Sequence, residues 1–167
     1  MEEAVFYKAS DSTIYVKASG HVTALVCPQL KAAIFARLET EPRVDAVYFD
    51  LSGCEYMDST FLGLIVGAQK RFAQGQANRT IVLLAVNEAC KGLLRTIGVL
   101  GMVRLSDEAI AFPPDLERLS SGMRADARLL LDAHEELSEL SPENRKRFSA
   151  LTTVLKSAVE AEERKKE

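Results

Sequence analysis

The sequence has few of the residues that crosslink a chain or hold a metal. Its three cysteines, Cys27, Cys54 and Cys90, are an odd number at wide spacing, and no Cys-x-x-Cys pair occurs. This pattern excludes a disulfide framework or a zinc site as the basis of the fold. We expect buried or half-buried thiols in a reducing compartment, and no metal or cofactor.

Long apolar runs and an excess of basic charge are also missing. No stretch approaches the roughly 20 apolar residues of a membrane-spanning helix. The first residues include two acids instead of the basic and then apolar order of a signal peptide. The net charge of −3 provides no basic face for nucleic acid. We therefore expect a cytoplasmic globular protein that binds neither membranes nor nucleic acid.

What is present in the first 112 residues is an alternation of strand and helix patterns. β-branched and aromatic residues predict a hairpin from strands 4–9 and 13–18, with a polar turn at 10–12. The runs 44–51 and 80–86 are almost continuously apolar, which is typical of strands buried on both faces. A last short strand is predicted at 103–105. Strands that alternate with helices favour a sheet with parallel crossover connections.

Three helices are predicted between these strands. The first begins near Pro28, and the third is capped by Asn87 and ends near Gly98. The second follows Asp58 and ends near Gly75. It carries an apolar stripe at helical spacing, formed by Phe61, Leu64, Ile65, Ala68 and Phe72.

The composition changes at Pro113, after which one glycine and one aromatic residue occur in 113–167. One helix is predicted from the stripe Met123, Ala127, Leu130, His134 and Leu137. A second begins at Ser141-Pro142, with Phe148, Leu151, Leu155 and Ala158 facing inward. We expect a domain over 1–112 and a helical hairpin over 113–167. Because isolated helices of this length are marginal in water, the hairpin must pack on itself, on the domain or on a second chain.

The polar junction between strand 44–51 and the second helix is Asp58-Ser59-Thr60. Plain capping explains an Asp or Ser at this point, since both are common N-caps. A second explanation is a modification site, because the first helical turn presents a hydroxyl on a rigid element and favours negative charge.

The order of these elements resembles the STAS fold of bacterial anti-sigma factor antagonists. The segments that carry the resemblance are Gly20-His21-Val22-Thr23, Phe49-Asp50-Leu51-Ser52, Tyr56-Met57-Asp58-Ser59-Thr60, Leu84-Ala85-Val86-Asn87 and Ile97-Gly98-Val99-Leu100. The resemblance covers residues 4–112 and implies a mixed sheet of about four to five strands with helices packed on it. The helical hairpin lies outside it.

In that family the hydroxyl directly after the loop aspartate is phosphorylated by an anti-sigma factor kinase. By position this residue is Ser59, with Thr60 as a supporting hydroxyl. The resemblance implies that the unphosphorylated form binds the kinase, that the phosphorylated form does not, and that a phosphatase resets it. The partner surface it implies consists of Gly20, His21, Thr23, Gly53, Tyr56, Met57, Asp58, Ser59, Thr60, Leu62 and Gly63.

The sequence departs from the family pattern at two positions. Phe61 stands where glycine is usual, and it is either a core residue or a shield over Ser59. Thr23 stands where an aspartate that contacts the kinase is frequent, which leaves the identity of the kinase open.

Two other classes of function compete with the switch. The domain could be a scaffold subunit of a larger, stressosome-like assembly in which the hairpin mediates self-association. An enzyme with Ser59 or Cys54 as nucleophile is disfavoured: neither His21 nor His134 has a spacing that indicates a triad, and no basic residue near Cys54 would lower its pKa. The protein is therefore expected not to be an enzyme.

The role of the hairpin is open at this point. It could cover Ser59, dock a sensor or dimerise. We interpret His134 as an interface or core histidine. Gly63 and Gly67 predict close packing of their helix on the sheet, with a groove for a partner as the alternative.

Overall fold

The computed structural model describes residues 2–120 and 124–167 of the chain. Six strands form one sheet: β1 (Ala4–Ala9), β2 (Thr13–Val22), β3 (Ala46–Met57), β4 (Val82–Leu84), β5 (Arg104–Ser106) and β6 (Glu117–Leu119). Five α-helices accompany it: α1 (Cys27–Leu38), α2 (Ser59–Ala73), α3 (Glu88–Ile97), α4 (Ala127–Ser138) and α5 (Pro142–Lys165). The expected α/β class with a C-terminal helical extension is confirmed.

The sheet is mixed, with the order β5-β4-β3-β2-β1-β6. Strands β2 to β5 pair in parallel, whereas β1 pairs antiparallel with β2 and with β6. Each parallel connection contains a helix, as parallel strands require. The ends of β2 and β3 therefore lie at the same edge of the sheet, and both loops of the predicted partner surface meet there.

Two strands are longer than the sequence predicts. β2 continues to Val22 and β3 to Met57, and the two remain paired with register shifts that separate Lys17 from Ser19 and Gly20 from His21. Most of what we expected to be loop in 20–23 and 53–58 is therefore paired backbone. Glycine and polar residues at these positions suggested loops, but a strand pair with register shifts accommodates glycine and polar residues alike.

The sheet has one strand more than the upper number expected. β6 pairs with β1 through Val5 and Leu119, Phe6 and Arg118, and Tyr7 and Glu117. Its three residues, Glu-Arg-Leu, are too short and too polar to indicate a strand. The segment beyond residue 112 thus adds an edge strand before the hairpin begins.

The hairpin helices differ from the predicted stripes in detail. Of the first stripe, Met123 lies outside the described residues. In α5 the side chains of Phe148, Leu155 and Val159 are buried, but Leu151 is 41% exposed, so its predicted inward orientation is wrong. Val159, which was not in the predicted stripe, faces inward with Leu155, because this is the face of α5 that packs along α4.

The main core lies between the sheet and the helices. Its largest fully buried side chains include Phe49, Phe61 and Phe72. Phe61 packs against Phe49 with ring centroids 6.2 Å apart, so it is a core residue. Leu137 of α4 and Phe148 of α5 belong to the same core, which means that the hairpin is joined to the domain through α2.

Candidate functional site

Asp58 is the N-cap of α2 and also fastens the neighbouring loop. Its Oδ1 accepts a hydrogen bond from the backbone N–H of Phe61 at 2.9 Å, which confirms the predicted cap. Its Oδ2 accepts one from the N–H of Ala24 at 2.8 Å. One carboxylate therefore holds the start of α2 and the segment after β2 in a fixed relation.

Ser59 occupies the first position of α2 and is only half-buried, but its hydroxyl is not free. The Ser59 Oγ lies 2.8 Å from Nε2 of His134 in α4, 75 residues further along the chain. His134 is 3% exposed and packs against Phe148 with ring centroids 5.3 Å apart. The hairpin thus covers the predicted phosphorylation site.

The second nitrogen of His134 determines the direction of this hydrogen bond. Its Nδ1 lies 2.7 Å from the backbone carbonyl of Leu130, and a carbonyl oxygen can only accept. Nδ1 therefore carries a proton, and in the neutral ring Nε2 is the acceptor. The Ser59 hydroxyl then donates its proton to His134.

A serine next to a histidine also resembles a nucleophile and its base. In a triad the far nitrogen of the histidine donates to a carboxylate, which orients the ring and stabilises its charged form. Here that nitrogen is bonded to a backbone carbonyl within α4 instead. The arrangement fixes the ring as a structural acceptor at a helix–helix interface, in agreement with our interpretation of His134.

Helix α4 approaches α2 at backbone distance. A Cβ atom added to Gly63 would lie 2.2 Å from the carbonyl oxygen of Ala133, a separation that no side chain tolerates. At Gly67 the same atom would lie 3.4 Å from Cζ of Phe35 and 3.8 Å from Oε2 of Glu136. The predicted packing of Gly63 on the sheet is therefore wrong: this glycine admits α4.

Ion pairs border the contact between α4 and the domain. Lys31 Nζ lies 3.3 Å from Asp132 Oδ2, and Lys70 Nζ lies 3.2 Å from Glu136 Oε2. Lys70 also pairs with Glu139. Burial disfavours the Lys70 ammonium, but the hydrogen bond that it donates to Glu139 and the charge of Glu136 prevail and raise its pKa. Carboxylates on the hairpin thus face lysines on α1 and α2.

A cavity of about 250 Å³ remains between α1, α2 and α4. Its lining includes Lys31, Phe35, Arg71 and Asp132, and the Arg71 guanidinium stacks over the Phe35 ring at 4.0 Å. The packing of the hairpin on the domain is tight at Gly63 and incomplete further along α2.

The structure divides the eleven predicted partner residues by exposure. Gly20, Met57, Thr60, Leu62 and Gly63 are buried. His21 and Tyr56 are exposed, and Thr23, Gly53, Asp58 and Ser59 are partly exposed. Contact with a partner therefore stays a prediction for the exposed and partly exposed residues. The buried residues lie below this surface. Since Thr60 is 4% exposed, it is poorly placed as an acceptor of phosphate.

Two residues of the site were not found from the sequence. Leu25 follows the segment 20–23 and is 50% exposed, close in sequence to Ala24, which is bound to Asp58. An apolar residue next to a predicted contact loop is the signal that could have indicated it. His134 had no such signal, because its contact with Ser59 depends on how the hairpin folds back.

Thr23 stands where related sequences often have an aspartate, and its polar groups are bound within the chain. Its backbone N–H and hydroxyl both donate to the Glu3 carboxylate, at 2.7 and 2.8 Å. Its Oγ1 also accepts from the N–H of Leu25. A carboxylate is therefore present beside this loop, but it comes from the N-terminal segment.

The cysteines have none of the properties of reactive thiols. Cys27, Cys54 and Cys90 are all buried and free. Burial, followed by the neighbouring Cys90, raises the pKa of Cys54 to about 12. A thiol that stays protonated is a poor nucleophile, which disfavours Cys54 as a reactive group.

Over residues 2–120 and 124–167, no group of three or more His, Cys, Asp or Glu side chains is arranged to hold a metal ion. In the same part of the chain, no helix has both the length and the apolar content that crossing a membrane requires.

Known structures resemble this chain in fold. The anti-sigma factor antagonist SpoIIAA in its unphosphorylated form is 15% identical with a TM-score of 0.53, covering 63% of this chain and 89% of SpoIIAA. The protein tm1081 of Thermotoga maritima is 20% identical with a TM-score of 0.52, covering 61% and 85%. An anti-sigma factor antagonist from Mycobacterium paratuberculosis is 20% identical with a TM-score of 0.50, covering 64% and 87%.

No curated protein matches the sequence. A family model described as "Mlab, STAS domain" matches residues 5–105, which is more than half of the 167 residues. The matched region contains strands β1 to β5, apart from the first residue of β1 and the last residue of β5, together with α1 to α3. This protein belongs to the STAS domain family.

Proposed function

We propose that this protein is an anti-sigma factor antagonist whose partner binding is set by phosphorylation of Ser59. The unphosphorylated form binds an anti-sigma factor serine kinase in the cytoplasm, and the phosphorylated form releases it until a phosphatase removes the phosphate. The observation that carries the proposal is the position of Ser59 directly after the N-cap Asp58, at the sheet edge where β2 and β3 end. No catalytic role is assigned to the chain itself.

The exposed surface around this edge fits a protein partner. Tyr56 is 44% and Leu25 is 50% exposed, and the His21 ring lies beside that of Tyr56, tilted by 48° with ring centroids 5.7 Å apart. Tyrosine is enriched among the residues that anchor interfaces, and an exposed apolar neighbour such as Leu25 extends the patch. Asp58 fixes the two segments that carry them, so the surface is organised before a partner arrives.

The proposed modification is a phosphoryl transfer from a nucleoside triphosphate. The Ser59 Oγ forms a bond to the γ-phosphorus, the bond from that phosphorus to the β-phosphate oxygen breaks, and the diphosphate leaves. The hydroxyl proton passes to a base of the kinase. In the closed structure this proton lies in the hydrogen bond to Nε2 of His134, so the hydroxyl must turn away from His134 before a base of the kinase can take the proton.

The fold should tolerate the phosphate, whereas an interface should not. A group with about −1.5 to −2 charges gains roughly 0.3–1 kcal/mol at a helix N-terminus and is opposed by Asp58 to a similar extent. If a partner covered Ser59, the same charge would be buried without a counterion, at a cost of several kcal/mol. Phosphorylation therefore acts on binding more than on the stability of the domain.

Phosphosite mapping tests this proposal. The protein is isolated from its own cells and analysed by mass spectrometry beside a Ser59→Ala variant. We expect phosphate on Ser59 and its loss in the variant. Unmodified Ser59 under all growth and stress conditions, or phosphate at Thr60 instead, would contradict the proposal.

A scaffold subunit of a larger signalling assembly is the second candidate, and α5 provides the observation that favours it. Leu151 is 41% and Val154 is 65% exposed on the side of α5 away from α4. Light scattering over a range of concentrations tests self-association, with Val154→Glu as the variant. A mass that stays monomeric at high concentration would exclude the scaffold.

A further inference from the structure

We infer that phosphorylation of Ser59 and docking of α4 on α2 exclude each other, so that the helical hairpin covers the switch in the unphosphorylated chain and phosphate displaces it. This inference rests on the proposed function only in taking Ser59 as the modified residue. It assigns the hairpin, which lies outside the matched region 5–105, as a competitor of the partner at Ser59, so that a partner that covers Ser59 binds the unphosphorylated chain only when the hairpin opens.

The hydrogen bond between the helices is the first reason. Ser59 Oγ supplies the proton, and Nε2 of His134 accepts it because Nδ1 is committed to the Leu130 carbonyl. A phosphoserine has no hydroxyl proton, so its oxygens would face the lone pair of Nε2. The contact that closes the hairpin over Ser59 becomes repulsive unless His134 takes a second proton.

Space is the second reason. Ser59 and Gly63 are four residues apart and so lie on the same side of α2. At Gly63 the backbone of α4 leaves no room for even one added carbon, since that atom would lie 2.2 Å from the Ala133 carbonyl oxygen. At Ser59 the gap to His134 is a single hydrogen bond of 2.8 Å. A tetrahedral phosphate with three further oxygens does not fit into that gap.

Charge is the third reason. Within α4, the acids Asp132, Glu135 and Glu136 outnumber the one base, Arg128. Asp58 adds another carboxylate directly before Ser59. Lys31 and Lys70 neutralise part of this charge through their pairs with Asp132 and Glu136. A phosphate at Ser59 would still add negative charge between Asp58 and α4, which disfavours docking.

A chemical probe of His134 tests the inference without any partner protein. Diethyl pyrocarbonate modifies neutral imidazoles, and the chain contains two histidines. The side chain of His21 is 67% exposed and provides an internal reference, whereas His134 is 3% exposed. Phosphoserine is introduced at position 59 by an encoded amino acid, and modification of each histidine is followed by mass spectrometry.

We expect His134 to react slowly in the unmodified chain and roughly tenfold faster or more with phosphoserine at 59, as for a group exposed by local opening. His21 should not change. Phosphoserine at Ser10 is the matched control, because this exposed turn lies at the opposite end of the sheet from Ser59. In a parallel experiment, a thiol-directed reagent should leave Cys27, Cys54 and Cys90 unlabelled. Protection of these buried thiols would show that the domain remains folded.

Two glycine variants separate displacement from charge. Gly63→Ala should expose His134 with no phosphate present, because its Cβ cannot coexist with Ala133. Gly67→Ala should leave His134 protected, since its Cβ makes tolerable contacts. If His134 stays protected with phosphoserine at 59 while Gly63→Ala exposes it, the two states coexist and the inference is wrong. If His134 and the thiols become reactive together, the hairpin does not open as a unit and the inference is equally wrong.

Failure of this inference can be distinguished from failure of the proposed function. Absence of phosphate at Ser59 in cells would remove the switch, but the encoded phosphoserine would still show whether the hairpin and the phosphate exclude each other.

Discussion

The two ends of the C-terminal hairpin are held in different ways. At the inner end, Leu137 and Phe148 belong to the main core, and Asn144 donates hydrogen bonds to the carbonyls of Ile97 and Leu137 at 2.7 and 2.8 Å. At the outer end, Leu131, Leu155 and Val159 form a small cluster of their own with Ala127 and Leu130. The inner end joins the hairpin to the STAS domain, and the cluster at the outer end joins α4 to α5.

This difference shows where the closed state gets its stability. The contacts that place His134 over Ser59 lie at the inner end, since His134 packs against Phe148. Opening the hairpin must expose that apolar surface, so the closed form should dominate in the unmodified chain. Loosening the outer end alone should leave Ser59 covered.

The largest effect is expected for Leu137→Ala at the inner end. Leu137 is fully buried in the main core, and removal of a buried leucine side chain costs about 2–5 kcal/mol. The free energy of unfolding, measured by urea titration, should fall by that amount, and His134 should become more reactive. A loss below about 1 kcal/mol would mean that the hairpin adds little to the core.

Asn144→Ala should have the next largest effect. Asn144 is 1% exposed, and its side-chain amide is the donor to two backbone carbonyls. Its removal takes the donor from the buried Ile97 carbonyl, whereas the Leu137 carbonyl still accepts from the N–H of Leu140 at 3.1 Å. An unsatisfied buried acceptor costs about 1–3 kcal/mol, and urea titration should show a loss of that size. Ser149→Ala on the exposed face of α5 is the matched control and should stay within about 0.5 kcal/mol of the wild type.

The sequence predicted the local structure of the inner end of the hairpin but not the surface on which this end packs. Ser141 and Pro142 placed the start of α5 because capping and a proline at the first turn are local effects. Periodicity indicated that Leu137 and Phe148 are buried, but it carries no information on which surface buries them. The contact between Ser59 and His134 spans 75 residues and depends on the fold of the whole chain.

The same limit applies to the sheet and to the site. Continuous apolar runs located β3 and β4, since burial on both faces leaves a strong pattern. β6 escaped prediction because an edge strand of three residues is held by its neighbour's backbone and not by its own side chains. Asp58 was predicted as a cap, but its second hydrogen bond, to Ala24, needs the pairing of β2 with β3.

Leu155→Ala should have a smaller effect, confined to the outer end. Leu155 is 7% exposed and touches a cluster of few residues, so the site can collapse around the deletion and the cost lies near 2 kcal/mol or below. Hydrogen exchange should become faster in the C-terminal half of α5 and in the first turn of α4. His134 should stay unreactive toward diethyl pyrocarbonate. Faster reaction of His134 would show that the two ends open together, which would remove the distinction between them.

The smallest effect is expected for Lys70→Gln, which removes two ion pairs, with Glu136 and Glu139, at the border between α2 and the hairpin. The Lys70 side chain is 37% exposed, and pairs of this kind contribute about 0–1 kcal/mol. Because its carboxylate partners raise the pKa of Lys70 in the folded state, the contribution is present below the unfolded pKa of about 10.4 and is lost as the pH rises through the folded value. Stability measured between pH 7 and 9 should therefore differ from the wild type by a constant amount, and that difference should shrink as salt is added. Lys91→Gln, which breaks a pair with Glu88 within α3, is the control for charge alone. If the two variants expose His134 equally, the carboxylates of α4 do not recognise Lys70, and apolar packing at the inner end alone positions the hairpin over Ser59.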